Sequence, residues 1–227
     1  MVKVNDYDPK VSPLEAPYLK VFTAATGNGL KVTILLELLK LDYTLRIIDW
    51  NGAKEQKEEW FLKINPNGKI PTIVEADAEG KTFALAESGA LLLWIANKYD
   101  IDHKFSYDPS TPEHWEEVEL LFFHVSGLTP AQGNLGWFKA NAPNDKVNID
   151  RFTEETIRSY KLLDDKLASN KSGYLVGDHI SLADLISFSY AKNLPSTGID
   201  ANQFTHVQKW IEKIGAIPEV QKALSLK

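Results

Sequence analysis

The first hundred residues alternate between strand-like and helix-like segments, and this order limits the chain to a small set of α/β folds. Strands are indicated by short runs rich in β-branched and aromatic residues, and helices by apolar residues that recur every three to four positions. Together the segments predict the order βαβαββα. In chain order they are residues 19–24, 30–40, 43–50, 60–64, 70–75, 82–86 and 91–99.

The pattern changes after Asp100. Residues 101–112 contain two prolines and no clear period, which is typical of a linker between domains. Beyond it, helical spacings dominate, as in Trp115, Phe122 and Val125. We therefore predict an N-terminal extension over 1–17 that is mobile or draped on the surface, an α/β domain over 18–100, a linker over 101–112 and an all-helical domain over 113–227.

Two local features are expected in the helical domain. Gly133 and Gly136 lie within residues 130–150, so the first long helix is expected to bend or end there. Ser181 and Asp184 have the spacing of a capping box at a helix start, with Asp in place of the commoner Glu or Gln. We assign both residues a structural role.

The composition excludes several kinds of chemistry. The chain has no cysteine, so a disulfide, a thiolate metal site and a thiol nucleophile of its own are all excluded. The five histidines show no ligand spacing, so we expect no metal site. A net charge of −6 and a pI near 5.4 disfavour nucleic acid and anionic membrane surfaces as partners. With no apolar leader and no run long enough to cross a bilayer, we expect a cytoplasmic protein.

Two short motifs within residues 69–90 indicate a ligand. Ile70 precedes Pro71, a structural residue that can hold the backbone N–H and C=O groups of Ile70 at a strand end. Glu87 and Ser88 open the third predicted helix, where unpaired N–H groups and the positive end of the helix dipole lie. Together these groups can hold a small peptide that carries an ammonium and a carboxylate, which indicates glutathione. The alternatives are an ordinary strand entry and a simple helix cap.

Longer motifs resemble the glutathione transferase family from about residue 19 to the C-terminus. The most specific are Asn65-Pro-Asn-Gly-Lys-Ile-Pro-Thr72, Glu87-Ser-Gly-Ala-Leu-Leu-Leu93 and Ser181-Leu-Ala-Asp184. Residues 26–31 resemble the Thr-Pro-Asn-Gly-x-Lys turn of the bacterial nu class and of fungal proteins related to the prion-forming nitrogen regulator, with Gly27 in place of proline. Residues 125–130 and 150–154 resemble the second domain of the same group. The resemblance implies a thioredoxin-like N-terminal domain and an all-helical C-terminal domain.

The resemblance also implies where the chemistry occurs. Thr26 and Asn28 would donate hydrogen bonds that keep the thiol of glutathione as a thiolate, with Asn28 also contacting the peptide. Ile70 would pair with the main chain of the cysteinyl residue in the manner of an added strand. Alternatively, Thr26 and Asn28 are turn residues without a ligand.

The remaining anchors follow from the same resemblance. Glu87 would face the γ-glutamyl ammonium, Ser88 would bind the neighbouring carboxylate, and Gln56 would lie near the glycyl end. Arg151, from the helical domain, matches an arginine that contacts the second half of bound glutathione disulfide, and its planar fork suits a carboxylate. An exposed ion pair with a glutamate one helical turn away is the alternative for Arg151.

These interpretations predict a glutathione-dependent enzyme that reduces small-molecule disulfides or peroxides, with glutathione as co-substrate and glutathione disulfide as a further ligand. The resemblance implies a homodimer in which the first domain of one subunit contacts the second domain of its partner. Three alternatives stay open. The first is a transferase that conjugates electrophiles in an apolar site near Phe123, Trp137 or Phe138. The second is a regulator that binds glutathione without turnover, and the third is a structural module that does not bind glutathione.

Overall fold

The computed structural model describes residues 8–225, and the chain divides into two compact units. The first unit runs to Ile95 and also includes the chain from Lys222 on, while the second runs from Ala96 to Gln221. Residues 101–112 group with the second unit and contain no helix or strand before Pro112. Between residues 8 and 225, no helix is both long and apolar enough to span a lipid bilayer.

The first unit contains β1 (Tyr18–Thr23), α1 (Gly27–Leu38), β2 (Thr44–Ile47), α2 (Glu59–Ile64), β3 (Thr72–Ala76), β4 (Thr82–Ala86) and most of α3 (Ser88–Tyr99), whose last four residues belong to the second unit. The predicted order βαβαββα is therefore confirmed. The strands form one sheet in the order β2-β1-β3-β4. The β1 and β2 strands are parallel, and the other neighbours are antiparallel. This mixed sheet with its helices is the thioredoxin-like arrangement that the motifs implied.

One strand is shorter than its composition predicts. The second strand was expected to reach residue 50, but β2 ends at Ile47. Asp49 causes the difference, because its carboxylate accepts hydrogen bonds from the backbone N–H groups of Gly52 and Ala53, both at 2.8 Å. A local side-chain turn therefore replaces the strand ladder at this point.

Aromatic side chains from β1 and α2 form much of the core of the first unit. Phe22 lies edge-on to Phe61, with ring centroids 5.9 Å apart, and Trp60 lies edge-on to Phe61 at 5.5 Å. Val74 of β3 and Ile48 belong to the same buried cluster. Burial of these large apolar groups holds α2 against the sheet, and with it the loop that leads from α2 into β3.

A buried ion network anchors the N-terminal segment to this sheet. The guanidinium of Arg46, on β2, bonds to Asp8 at 2.8 Å and to Glu55 at 3.1 Å. Lys20 of β1 lies 3.7 Å from Asp8, and both carboxylates are almost completely buried. The predicted N-terminal extension is therefore anchored from Asp8 onward, while its residues 1–7 lie outside the described residues.

The network also supports the segment that carries Gln56. Glu55 accepts a hydrogen bond from the backbone N–H of Asp49 at 2.8 Å. Burial by itself would raise the pKa of Glu55, but hydrogen bonds from Arg46 and Lys10 lower it to about 2. Glu55 therefore stays ionised at neutral pH and ties β2 to the turn that follows it.

The second unit is all-helical, as predicted, and its helices are α4 (Pro112–Phe123), α5 (Thr129–Asn141), α6 (Lys146–Ser169), α7 (Leu182–Lys192) and α8 (Thr205–Gly215). A last helix, α9 (Pro218–Leu224), continues into the first unit at Lys222. Short 3₁₀ turns at Leu194–Thr197 and Ala201–Gln203 link α7 to α8.

The first long helical stretch is interrupted earlier than predicted. One turn of π-helix, His124–Leu128, joins α4 to α5, while Gly133 and Gly136 lie inside α5. The prediction that the helix ends within residues 130–150 is confirmed, because α5 ends at Asn141, although it does not end at either glycine. The earlier interruption by the π-helix was not predicted. Pro130 explains the actual position, because it has no N–H to bond the carbonyl four residues earlier, so the helix widens just before it.

The apolar stripe of α4 faces away from the core of its unit. Leu120 and Leu121 are buried, whereas Trp115 and Phe122 keep 64% and 62% of their surface exposed in the single chain. Val125, in the following turn, is also exposed. Apolar spacing therefore predicts this helix but not the face that packs, because two apolar faces share its surface.

The α7 helix begins at the predicted capping box. The N–H of Ser181 donates to the Asp184 carboxylate at 2.9 Å. Asp184 also accepts from the N–H of Leu175 at 3.0 Å and from the indole of Trp210 at 2.7 Å. Burial raises the pKa of Asp184 to about 6, although these hydrogen bonds oppose the shift. The carboxyl group therefore joins three segments of the second unit.

We predict that Glu55→Gln lowers the free energy of unfolding by about 2 kcal/mol at pH 7, because a charged partner of Arg46 is lost from a buried site. The pKa of Glu55 is lowered from 4.5 to about 2 by folding, so its contribution is complete above pH 4.5 and is lost as the pH falls towards 2. Urea denaturation of wild type and variant at pH 7 and at acidic pH measures this difference.

The matched control for this experiment is Glu59→Gln. Glu59 pairs with Lys63 at 2.8 Å on an exposed helix surface, where solvent screens the pair, so its loss should leave the free energy of unfolding nearly unchanged. Equal losses for the two variants, or a Glu55→Gln effect that does not shrink in acid, would contradict the assignment of this network as a buried anchor.

Candidate active site

The strand register brings four chain segments to the same end of the sheet. Thr72, the first residue of β3, pairs with Phe22 of β1 and with Ala86 of β4. At the same level, Thr23 pairs with Ile47 at the end of β2. The segments after β1, β2 and β4 and the segment before β3 therefore all leave the sheet at this end. The predicted site residues on these segments are Thr26, Asn28, Gln56, Ile70, Glu87 and Ser88.

Thr26 is the N-cap of α1, which begins at Gly27 rather than at the predicted residue 30. The Oγ1 atom of Thr26 accepts the N–H of Gly29 at 3.1 Å, so the hydrogen of this hydroxyl can point to a ligand. A Cβ atom on Gly29 would lie 2.1 Å from the carbonyl oxygen of Ala24 and 2.4 Å from Oγ1 of Thr23. Glycine is therefore required for α1 to begin this close to β1.

Asn28 lies one helical turn from a buried lysine. The ammonium Nζ of Lys31 donates to Oδ1 of Asn28 at 2.8 Å, and Lys31 has no exposed surface. Burial lowers the pKa of Lys31 to about 7. Lys31 is the last residue of the motif over residues 26–31, but its contact with Asn28 was not predicted. The i, i+3 spacing is the signal that could have found it, because such side chains are neighbours on a helix.

A single asparagine shapes the loop that carries Ile70. The side-chain amide of Asn65 donates to the carbonyl of Lys69 at 2.8 Å and to Oγ1 of Thr72 at 3.0 Å. The Ile70–Pro71 peptide is cis, and Ile70 lies just before β3. Asn65 was not among the predicted site residues, because a residue that shapes a loop has no chemical signature of its own in a sequence.

Glu87 adopts a backbone conformation that residues other than glycine rarely adopt. Its φ angle is +71°, which costs roughly 1–2 kcal/mol for a residue with a Cβ atom. Its carboxylate accepts a weak hydrogen bond from the side-chain amide of Asn67 at 3.4 Å. Ser88, the buried first residue of α3, follows directly. The hydrogen bond between Asn67 and Glu87 therefore links the loop before β3 to the residue that precedes α3.

The nitrogen and the oxygen of the Gln56 side-chain amide differ in their hydrogen bonds. Its Nε2 atom donates to the carbonyl of Trp50 at 2.8 Å. Its Oε1 atom is buried and has no hydrogen-bond partner among residues 8–225. An unpaired buried acceptor lowers stability, so this oxygen is suited to receive a donor from outside the chain.

Arg151 belongs to the second unit, where it is exposed on α6. Its guanidinium lies 5.8 Å from the ring centroid of Phe152, which stacks on Phe138 at 5.6 Å. Glu155, which could have paired with Arg151, bonds Arg158 at 2.9 Å instead. The guanidinium is therefore held beside an aromatic pair.

The first-unit site favours an anion. The start of α1 offers the positive end of a helix dipole, a hydroxyl from Thr26 and the side chain of Asn28, with the ammonium of Lys31 behind it. Within the described part of the chain, no three His, Cys, Asp or Glu side chains are grouped to hold a metal ion. The sheet and this helix start define a thioredoxin-like class of protein.

Comparison with known proteins agrees with this class. The family model for the glutathione S-transferase N-terminal domain matches residues 28–98, and that for the C-terminal domain matches residues 135–225. The disulfide-bond oxidoreductase YfcG of Escherichia coli is 34% identical over 210 residues, which cover 91% of this chain and 94% of that protein. The chain therefore belongs to the glutathione S-transferase family, as its motifs indicated.

Two solved structures extend this likeness to the fold. A glutathione transferase homologue from Lodderomyces elongisporus, with two glutathione molecules per subunit, has a TM-score of 0.85 and 38% identity over 91% of this chain and 97% of that one. The nitrogen regulation fragment of the yeast prion protein Ure2p has a TM-score of 0.87 and 26% identity over 96% of this chain and all of that one. The resemblance to the fungal group is thereby confirmed.

We predict that Gly29→Ala lowers the free energy of unfolding by about 3 kcal/mol, because the new methyl group would collide with the backbone of Ala24. The matched control is Gly133→Ala within α5, where a Cβ atom meets nothing within 4 Å. That variant should gain about 1 kcal/mol from helix propensity alone. Urea denaturation gives both values, and similar effects at the two glycines would refute the close contact between α1 and β1.

Proposed function

We propose that this protein is a glutathione-dependent disulfide-bond oxidoreductase. The observation that carries the proposal is the start of α1, where the Thr26 hydroxyl and the Asn28 side chain lie at the same sheet end as Ile70 and Glu87. The chain has no cysteine, so the reacting sulfur must come from a ligand. A cytoplasmic location fits this reaction, because glutathione is kept reduced there.

The electrostatic role of the helix start is to keep the glutathione thiol ionised. A free thiol has a pKa of about 8.5, so little of it is thiolate at neutral pH. Lowering that pKa by ~2 units corresponds to about 2.7 kcal/mol of preference for the anion. A helix N-terminus with one or two hydrogen-bond donors is sufficient for a shift of this size. Thr26 and Asn28 need not titrate to supply it.

The other predicted residues hold the peptide. Ile70 pairs with the cysteinyl main chain, Glu87 faces the γ-glutamyl ammonium, and Ser88 binds the adjacent carboxylate at the start of α3. The buried Oε1 atom of Gln56 can accept the glycyl N–H, which would satisfy its missing hydrogen bond. Arg151 binds a carboxylate of the second half of glutathione disulfide through its guanidinium fork.

The reaction proceeds by two thiol–disulfide exchanges. The bound thiolate attacks one sulfur of the substrate disulfide, forms a mixed disulfide with glutathione and releases the other half as a thiolate, which takes up a proton. A second glutathione thiolate attacks the glutathione sulfur of the mixed disulfide, forms glutathione disulfide and releases the remaining thiol. Overall, two glutathione molecules are oxidised and one disulfide is reduced to two thiols.

One observation favours conjugation of electrophiles as a second candidate function. Trp137 is 56% exposed and lies edge-on to Phe138, which stacks on Phe152 in the second unit. Exposed aromatic rings of this kind suit a flat apolar electrophile. The likeness to the nitrogen regulation fragment of Ure2p supports a third candidate, a regulator that binds glutathione without turnover.

We predict that the thiol of bound glutathione titrates ~2 units below free glutathione in the wild type. Thr26→Ala or Asn28→Ala should return it towards the free value, because a donor to the thiolate is lost. Thr26→Ala should also slow glutathione-coupled disulfide reduction by roughly tenfold or more. Ultraviolet absorbance of the thiolate against pH measures the first effect, and a glutathione reductase-coupled assay measures the second.

Two controls separate chemistry from helix capping. Thr26→Ser keeps the hydroxyl and should retain the depressed thiol pKa. Thr111→Ala removes the N-cap of α4, where Oγ1 accepts the N–H of His114 at 3.4 Å, and should leave the bound thiol unaffected. A normal thiol pKa in the wild type would exclude the proposed mechanism. A depressed pKa with turnover of aromatic electrophiles but not disulfides would favour the conjugating transferase, and binding without turnover would favour the regulator.

We propose that the protein is a homodimer and that the exposed apolar face of α4 contributes to the interface. Phe122→Glu should then shift the protein from dimer to monomer in size-exclusion chromatography with light scattering, because a charge replaces a buried apolar contact. Val147→Glu is the control, since Val147 is 79% exposed but lies on α6, outside this face. A monomeric wild type, or a dimer that Phe122→Glu leaves intact, would exclude this interface.

A further inference from the structure

Lys31 is the least expected residue of the site. It lies on α1, a helix that is buried along most of its length, and its side chain has no exposed surface. A lysine side chain is rarely buried completely unless its ammonium is paired or hydrogen-bonded, because the transfer of an ammonium out of water costs free energy. Lys31 has no role in the steps of the proposed reaction.

The first unit contains a second buried lysine, and the two lysines make different contacts. The ammonium of Lys20 lies 3.7 Å from the carboxylate of Asp8. The ammonium of Lys31 donates a hydrogen bond of 2.8 Å to the amide oxygen of Asn28. Burial lowers the pKa of Lys31 to about 7.

The direction of the lysine side chain places its ammonium against the first turn of α1. Side chains on a helix lean towards the N-terminus, so the ammonium of Lys31 reaches back over the preceding turn to Asn28. That turn contains the N-terminal N–H groups of α1 and follows the Thr26 cap. Lys31 therefore contacts Asn28 in the first turn of α1, at the positive end of the helix dipole.

The contact also decides which way the amide of Asn28 points. An ammonium has three donors and no acceptor, so it can bond only the oxygen of a side-chain amide. When Oδ1 of Asn28 faces Lys31, the Nδ2 donor lies on the other branch of the amide. Without this constraint, the two orientations of an amide differ little in shape, and the oxygen could face a bound sulfur.

We propose that Lys31 is a positioning residue for the thiolate, because its ammonium holds the Asn28 amide with the nitrogen donor towards the sulfur of bound glutathione. This inference rests on the proposed function, since it assigns a role at the same site. In this role Lys31 acts through Asn28. A purely structural role, in which Lys31 only fills space, and a direct role, in which its charge acts on the sulfur itself, are the two alternatives.

A double-mutant cycle distinguishes these roles. The measured quantity is the thiol pKa of bound glutathione in wild type, Lys31→Met, Asn28→Ala and the double variant. Methionine keeps the length of the side chain and removes the charge and the donors. Lys31→Met should raise the bound thiol pKa by about one unit. In the Asn28→Ala background the same substitution should add nothing, because the residue through which it acts is gone.

The matched control is Lys20→Met, which removes another buried ammonium of the first unit, on β1 rather than on α1, and should leave the thiol pKa unchanged. A thiol pKa like that of the wild type in Lys31→Met or in Asn28→Ala would overturn the inference while the proposed function stands. Additive effects in the double variant would also overturn it, because they indicate a direct charge effect. An unshifted thiol in the wild type would instead reject the proposed function itself.

A measurement on the wild type tests the same idea if Lys31→Met does not fold. Coupling between two sites is reciprocal, so a thiolate favoured by the Lys31 ammonium must favour that ammonium in return. Nitrogen NMR of the Lys31 Nζ atom should therefore show a higher lysine pKa with glutathione bound than with S-methylglutathione, which cannot form a thiolate. The same lysine pKa in both complexes would overturn the inference.

Discussion

The close contact between the start of α1 and the end of β1 is the constraint on which the site depends. Gly29 has no Cβ atom, so the first turn of the helix can lie against the carbonyl of Ala24. Thr26 then caps the helix at the end of the sheet. Because strand register brings the loop before β3 and the start of α3 to this same end, one helix position sets the distance from the dipole to the other candidate anchors of the first unit.

The first unit contains two different uses of buried charge. At the network of Arg46, Lys20, Asp8 and Glu55, cations and carboxylates neutralise each other and join the N-terminal segment to the sheet. At α1, the ammonium of Lys31 donates a hydrogen bond to the amide oxygen of Asn28 in the first turn of the helix. The first arrangement joins separate segments of the fold, whereas the second holds one side chain at the start of a helix.

Most of the fold could be predicted, because periodicity and turn chemistry are local. The order βαβαββα and the capping box at Ser181 both follow from residues close together in sequence. The differences arise where one side chain changes a local outcome: Asp49 ends β2 early, and Pro130 adds an interruption before α5 that was not predicted. The exposed aromatic face of α4 was not predicted either, because spacing reveals a helix but not which of two apolar faces packs.

The sequence by itself determined the types of group at the site and the order of the elements that carry them. Motifs and the family resemblance predicted Thr26, Ile70 and Glu87 as site residues, and each lies at a strand end or a helix start. The tertiary structure decided what these groups contact. The positive φ of Glu87, the unpaired oxygen of Gln56 and the burial of Lys31 all depend on neighbours distant in the chain or on packing around a helix. Local sequence patterns determine helices and strands, but burial and strand register arise only when separate elements pack together. For this reason the residue types at the candidate site could be predicted from the sequence, whereas their contacts and distances could not.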